Sequence, residues 1–169
     1  MLTTLRPMAV ADLSALTGED APFEDFGPRP PRHEPLSSSL SADPGGLTVA
    51  GPDDAAVGNV SWVWRRWGPN PPSANPVIGI WLAPGARGRG VGARAQRALV
   101  ELFWRHTTVS RVEAHTDVDN RAERRALEAA GFTLEATARA AQWRDGAHRD
   151  IAAYVVLRPG PAEGASEPD

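Results

Sequence analysis

The chain contains no cysteine, which excludes disulfides, thiolate nucleophiles, thiol-bound zinc and iron–sulfur clusters together. Lysine is absent too: all 18 basic residues are arginine, so no Schiff base can form with a carbonyl substrate or with pyridoxal phosphate. Tyrosine occurs once, at Tyr154. No apolar run approaches the roughly 20 residues that span a bilayer. Residues 1–10 lack both a basic flank leading into an apolar stretch and a small-residue cleavage site. These absences predict a cytoplasmic protein that makes no use of a membrane. With 21 acidic residues the formal charge is −3, so no global positive field favours nucleic acid.

What is present is ordinary globular material: 169 residues, 41% hydrophobic and 23% charged. That is enough for one core and cramped for two. We read a single domain over residues 1–158 and a disordered tail of Pro, Gly, Ala and acid over residues 159–169. An extended start, Leu2 to Arg6, precedes one or two helical turns over residues 11–16. A proline-rich stretch then runs from Gly18 to Gly46 and includes Pro22, Pro28, Pro30, Pro31, Pro35 and Pro44. It reads either as a functional lid or as a simply mobile loop.

Strand patterns cover Leu47 to Ala50 and Val57 to Arg66, with Asp53-Asp54 as the turn between them. After a Pro/Gly/Asn loop (Gly68 to Asn75), Val77 to Ala83 is apolar on both faces, as in a central strand covered on both sides. Val91, Ala95, Leu99, Leu102 and Phe103 fall at helical spacing within Val91 to His106. Val109 to Thr116 alternates as a strand. Arg121 to Ala130 reads as a helix with Asn120 as N-cap and Gly131 just beyond its end. Phe132 to Trp143 and His148 to Leu157 read as strands paired around Asp145-Gly146.

The chemistry-bearing segment is Ala83-Pro-Gly-Ala-Arg-Gly-Arg-Gly-Val-Gly, between the central strand and the first long helix. Gly88, Gly90 and Gly92 remove side chains where backbone N–H groups converge at a helix N-terminus, a natural phosphate site. Arg87 and Arg89 add charge-assisted donors. A nucleoside-triphosphate P-loop fails for want of lysine. A dinucleotide fingerprint fails because the third glycine comes one residue early and an antiparallel half precedes the loop.

In its order of elements and in Arg87-Gly-Arg-Gly90-Val-Gly92, the sequence resembles the GCN5-related N-acetyltransferase (GNAT) superfamily, whose pyrophosphate loop reads Arg/Gln-x-x-Gly-x-Gly/Ala. Gly79-Ile-Trp-Leu-Ala-Pro84, Asn120-Arg-Ala-Glu-Arg-Arg-Ala-Leu-Glu-Ala-Ala-Gly-Phe132 and Arg144-Asp-Gly-Ala-His-Arg-Asp150 with Tyr154 are most similar to its RimJ/RimL-like branch, the ribosomal-protein N-terminal acetyltransferases. The resemblance covers residues 57–158 well and the first 56 loosely. It implies an α/β fold with a mixed, mostly antiparallel sheet flanked by helices and a splay between its two central strands.

Acetyl-CoA would lie in that splay. Leu82 would pair with the pantetheine arm, and Leu82 or Ala83 would supply an oxyanion donor. The N–H groups of Gly88, Arg89, Gly90, Val91 and Gly92, with Arg87 beside them, would hold the pyrophosphate. Asn120 would bond the arm, cap its helix, or do both. The implied function is N-acetyl transfer to a primary amine by direct attack, the acceptor being either a small molecule or a peptide N-terminus. Dimers are common among proteins of this kind, so a homodimer is possible. The rival is an acyl-CoA-binding regulatory module without catalysis.

Acetyl transfer needs a neutral nucleophile, a polarised thioester and routes for two protons. Period-two alternation puts Glu113, His115 and Asp117 on one strand face. His115 is the candidate base, with Glu113 beside it, against the plainer reading of His115 as a sheet histidine. Two positions depart from the branch: Glu123 stands where a serine acid is expected, and Gln142 where a carboxylate base is expected. Water is left to protonate the thiolate. His148 and Asp150 either contact substrate or pair with each other. Trp62, Trp64, Trp67, Trp81 and Trp143 read mostly as core, some as walls of an acceptor pocket. Glu24, Asp25 and Glu34 would favour a cationic acceptor. No histidine has metal-ligand spacing.

Overall fold

The structure, a computed structural model, describes residues 3–16, 23, 25–27 and 32–160. Gly18, Pro22, Glu24, Pro28, Pro30 and Pro31 of the proline-rich stretch lie outside the described residues, as do residues 161–169 of the tail. Among the described residues, seven strands form one sheet in the order β1-β2-β3-β4-β5-β7-β6. They are β1 (Thr4–Arg6), β2 (Gly45–Ala50), β3 (Ala56–Arg66), β4 (Ala74–Leu82), β5 (Arg111–Asp117), β6 (Thr133–Arg144) and β7 (Ala147–Leu157). Helix α1 (Val91–His106) links β4 to β5, and α2 (Arg121–Ala130) links β5 to β6. Only β4 and β5 run parallel; every other neighbouring pair is antiparallel. The mixed, mostly antiparallel sheet is the expected one.

The helices form where pattern and termini agree. Gly90, at φ 69°, turns the chain into α1. Asn120 Oδ1 accepts the Glu123 N–H at 3.2 Å to cap α2, and Gly131, at φ 100°, ends it. Both helices bury their apolar stripes on one sheet face, where Leu99 and Phe103 of α1 and Leu127 of α2 meet Val60, Trp62, Ile78, Val112 and Tyr154. The Trp62 indole stands edge-on to Phe103 at 5.5 Å and donates to the Ala42 carbonyl at 3.1 Å. Gly45 makes room for it: a Cβ there would stand 2.3 Å from the indole ring.

The opposite face is anchored at one end by a short helical turn, Val10–Ala15. Buried Asp12 accepts from Arg6 at 2.7 and 2.9 Å, from the Ala9 N–H at 2.8 Å and from Thr48 Oγ1 at 2.9 Å. The Arg6 guanidinium holds this carboxyl well below the usual carboxylate range. No described helix is long and apolar enough to cross a membrane.

Several expectations change. The strand predicted from Val77 begins at Ala74, and it is not covered on both faces: Gly79 is exposed, and Ile80, Trp81 and Leu82 are half-buried. The reason is that β4 loses its neighbour β5 at that end. Trp62 is core, but Trp67 and Trp143 are 61% and 62% exposed. His148 and Asp150 do not pair: His148 stands edge-on to Trp143 at 5.0 Å, and Asp150 accepts the Ala140 N–H at 2.7 Å in the bulge of β6. Trp62→Ala, which removes the largest fully buried side chain, is expected to lower unfolding free energy by about 3–5 kcal/mol in urea denaturation. A loss below about 1 kcal/mol would contradict this packing.

Candidate active site

β4 and β5 are joined at two positions, Val77 opposite Glu113 and Ile78 opposite Ala114. Beyond these the strands part, although β4 stays on β3 as far as Leu82 and β5 stays on β7 as far as Asp117. The gap therefore has two peptide edges. The Ala83 N–H donates to the Val57 carbonyl at 2.9 Å. By antiparallel alternation, the backbone polar groups of Leu82 and Ile80 then point the other way, toward the gap. Ala83 spends its N–H on β3, so of Leu82 and Ala83 it is Leu82 whose N–H faces the gap. The Leu82 carbonyl accepts from Arg87 Nε at 2.8 Å, which fastens the glycine loop to the end of β4.

The loop follows directly. Gly88 and Gly90 have φ of 71° and 69°, a region that side chains disfavour. None of the backbone N–H groups from Gly88 to Ala93 donates to the protein among the described residues. Those of Val91, Gly92 and Ala93 are the unpaired donors of the first turn of α1, aligned with the positive end of its dipole. A Cβ at Gly88 would meet nothing within 4 Å. The loop thus offers unpaired donors, with the Arg94 guanidinium beside them on the Arg89 carbonyl at 3.1 Å, an arrangement that suits a pyrophosphate. Val91 itself is buried in the core and contributes its backbone. A Cβ at Gly92 would touch Leu82, Ala126 and Ile80 at 3.6–3.9 Å, so its side points into the protein rather than at a ligand.

On the sheet face away from the helices, Glu113 is 2% exposed. It accepts from Trp67 Nε1 at 2.7 Å and from Arg111 Nε at 2.9 Å. Arg111 also pairs with Glu135. Burial pushes the Glu113 pKa up, and these donors more than offset it, so it stays ionised below the ordinary range. His115 Nε2 lies 3.4 Å from Glu113 Oε2. Desolvation lowers its pKa against the pull of Glu113, and Arg65 and Arg111 lower it further. The His115 pKa is therefore held below the ordinary histidine value, with the Glu113 carboxylate beside it. Asp117, on the same face, is buried and paired with Arg144, whose guanidinium also stacks over Phe23 at 5.2 Å.

The helix side of the splay holds a group the sequence reading passed over. Glu123, in the first turn of α2, accepts from Gln96 Nε2 of α1 at 2.8 Å. Burial raises its pKa to about 7. The sequence registered Glu123 only as a missing serine; its burial depends on the approach of α1 to α2, which no local pattern displays. Tyr154 is not at the splay: its hydroxyl donates to Glu128 at 2.9 Å and accepts from Arg124 at 3.1 Å, pinning α2 to β7.

A model of the acetyltransferase (GNAT) domain family matches residues 3–133. No curated protein matches the chain in sequence. Among solved structures, the chain is similar to a ribosomal-protein-S5-alanine acetyltransferase from Vibrio fischeri, with 19% identity, 68% of this chain and 61% of that one covered, and a TM-score of 0.60. It is also similar to a microcin C7 self-immunity acetyltransferase in complex with acetyl-CoA and AMP, at 20% identity over 72% of this chain and 64% of that one, TM-score 0.62. A spermidine N-acetyltransferase SpeG chimera from Vibrio cholerae and hSSAT matches at 18% identity over 92% and 95%, TM-score 0.72. The chain spans less than two-thirds of the length of the first two. At these identities the likeness is one of fold.

Two glycines of the loop separate ligand contact from packing. Gly90→Val, a branched residue at positive φ, is expected to abolish coenzyme A binding in calorimetry at a stability cost of about 1–2 kcal/mol. Gly92→Ala, whose methyl fits the core contacts, is expected to keep that binding and to gain up to about 1 kcal/mol from helix propensity. Unchanged affinity in Gly90→Val would contradict the loop assignment.

Proposed function

Because the chain belongs to the acetyltransferase (GNAT) domain family, we propose that it is an acetyl-CoA-dependent N-acetyltransferase that acylates a primary amine by direct attack within a ternary complex. The observation that carries this reading is the run of unpaired N–H groups from Gly88 to Ala93 beside the parted edges of β4 and β5. Donors in the loop fit a pyrophosphate, and the peptide edges fit the amides of a pantetheine arm. The structural neighbour solved with acetyl-CoA and AMP supports the same cosubstrate.

When bound, acetyl-CoA supplies an activated thioester carbonyl; the remaining work belongs to the chain. Gly88, Arg89, Gly90, Val91 and Gly92 would hold the pyrophosphate through their N–H groups. The Leu82 N–H, fixed by the β3 ladder, would donate to the carbonyl oxygen as charge develops there. Asn120 would orient the arm while capping α2. His115, neutral and on the face away from the helices, would accept the proton that the amine loses, with the Glu113 carboxylate stabilising the imidazolium.

The acceptor approaches from this same face, over Gly79 and Trp81. Among the neighbours, one acts by its name on a ribosomal protein and another on spermidine. The RimJ/RimL-like motifs support a peptide α-amine. A small-molecule amine is supported by the departures at Glu123 and Gln142.

Purified protein is expected to bind acetyl-CoA in calorimetry and to release thiol with one class from a panel of N-terminal peptides, polyamines and aminoglycoside-type amines. Binding without release from any amine would favour the regulatory module, and no binding would overturn the reading. His115→Ala is expected to slow turnover roughly 100-fold and to remove the acid limb of the rate. In the native protein that limb falls as pH drops through a pKa below the ordinary histidine value. Full activity with an unchanged acid limb would remove His115 as the base.

A further inference from the structure

We propose that Arg65, laid over the Trp67 ring on the sheet face that carries His115, anchors a carboxylate of the acceptor, so that the acceptor is a primary amine that also bears a carboxylate. The inference rests on the acetyltransferase reading and names the substrate class for the same site.

The register places Arg65 on the acceptor side. Val63 of β3 faces Val77 of β4, and Val77 faces Glu113 of β5; Arg65 faces Asn75, two residues before Val77. Residues paired across strands share a face, so Ser61, Val63 and Arg65 lie on the face of Glu113 and His115. Trp62 and Trp64, between them in sequence, turn the other way and meet Phe103 of α1. Val63 and Gly79 are exposed, which leaves an open floor that runs from the gap, past His115, to Arg65.

Trp67 fixes the guanidinium. Its Nε1 donates to Glu113 at 2.7 Å and its backbone N–H to the Ser73 carbonyl at 3.0 Å, so the indole is held although its ring is exposed. The Arg65 guanidinium stands 4.6 Å from the ring centroid, a cation–π contact that orders a side chain otherwise free in solvent. Glu113 in turn lies beside His115. Arg65, Trp67, Glu113 and His115 therefore form one connected group, and Arg65 is among the charges that lower the His115 pKa.

The charge balance of the face selects the ligand. Arg111 is taken by Glu113 and Glu135, Arg144 by Asp117, and Arg149 by Asp145. Among the described residues no carboxylate pairs with Arg65. Stacking covers the flat side of its guanidinium and leaves the N–H edge, a planar fork of donors that matches a carboxylate. The buried Glu113 carboxylate is already engaged by Trp67 and Arg111 and offers little to a cationic acceptor. Of the acids expected to favour such an acceptor, Glu24 lies outside the described residues and Glu34 is exposed. Asp25 is at the other end of the face, where its carbonyl accepts the Asp145 N–H at 3.1 Å, beyond the pairing of Asp117 with Ile151.

The test uses the full chain, acetyl-CoA and matched acceptors: α-amino acids, longer ω-amino acids and peptides with glutamate at the second position, each beside its carboxamide, together with polyamines. Wild type is expected to favour the carboxylate member of an accepted pair roughly tenfold in kcat/KM, chiefly through KM. Arg65→Gln is expected to remove that preference by raising KM for the carboxylate member alone. Arg65→Lys, which keeps the charge and loses the fork, is expected to restore part of it. Both variants are expected to bind coenzyme A as wild type does in calorimetry, since Arg65 is remote from the glycine loop. Wild-type turnover that favours a polyamine or a carboxamide would overturn the proposal and leave the acetyltransferase reading standing, as would a carboxylate preference that survives in R65Q. Wild type without turnover on any amine would overturn the acetyltransferase reading and this anchor with it.

Discussion

The site depends on a broken partnership. Val77 with Glu113 and Ile78 with Ala114 are the whole of the pairing between β4 and β5, and each strand then continues on its other neighbour. A sheet strand normally satisfies its backbone on both sides. Here the Leu82 and Ile80 edge is released while β3 keeps the strand straight. The opening is thus rigid without being filled, because β3 and β7 supply the register that β4 and β5 do not give each other. α1 and α2 grow from the two edges of the gap, and this is why the unpaired donors of one helix and the buried carboxyl of the other arrive at the same end of the sheet.

The two faces of the sheet divide the remaining labour. The helix face is apolar, closed by Trp62, Leu99, Phe103 and Leu127, and burial beside it raises the pKa of Glu123, held by Gln96, to about 7. The opposite face is polar and cross-linked by charge: Glu113 is held by Arg111 and Trp67, and Asp117 by Arg144. Glu113 so partnered is held ionised, below its ordinary range, which leaves the His115 imidazole as the group on that face that would accept a proton.

Much of this could be read from the residues. Both helices ended where their patterns said, because Gly90, Asn120 and Gly131 mark the termini by local geometry alone. The glycine loop was legible because a phosphate cradle leaves a signature in residue type. The pairing of β4 with β5 was not legible: apolar residues from Val77 to Leu82 look alike whether a strand is covered on both faces or half open, and only the partner decides. The same holds for Trp67 and Trp143, whose exposure follows from strand ends and hairpin tips rather than from hydrophobicity. Glu123 was seen as the loss of a serine, since its burial arises from a contact between helices 27 residues apart in its bond to Gln96. His148 and Asp150, adjacent in pattern, were separated by the bulge in β6 that claims Asp150 for the Ala140 N–H.

The measurement closest to the central claim is a crystal structure of the protein with coenzyme A. The account predicts the pyrophosphate on the N–H groups from Gly88 to Gly92 and the pantetheine arm between β4 and β5 against Leu82. A ligand bound elsewhere, or phosphates seated away from this loop, would contradict it.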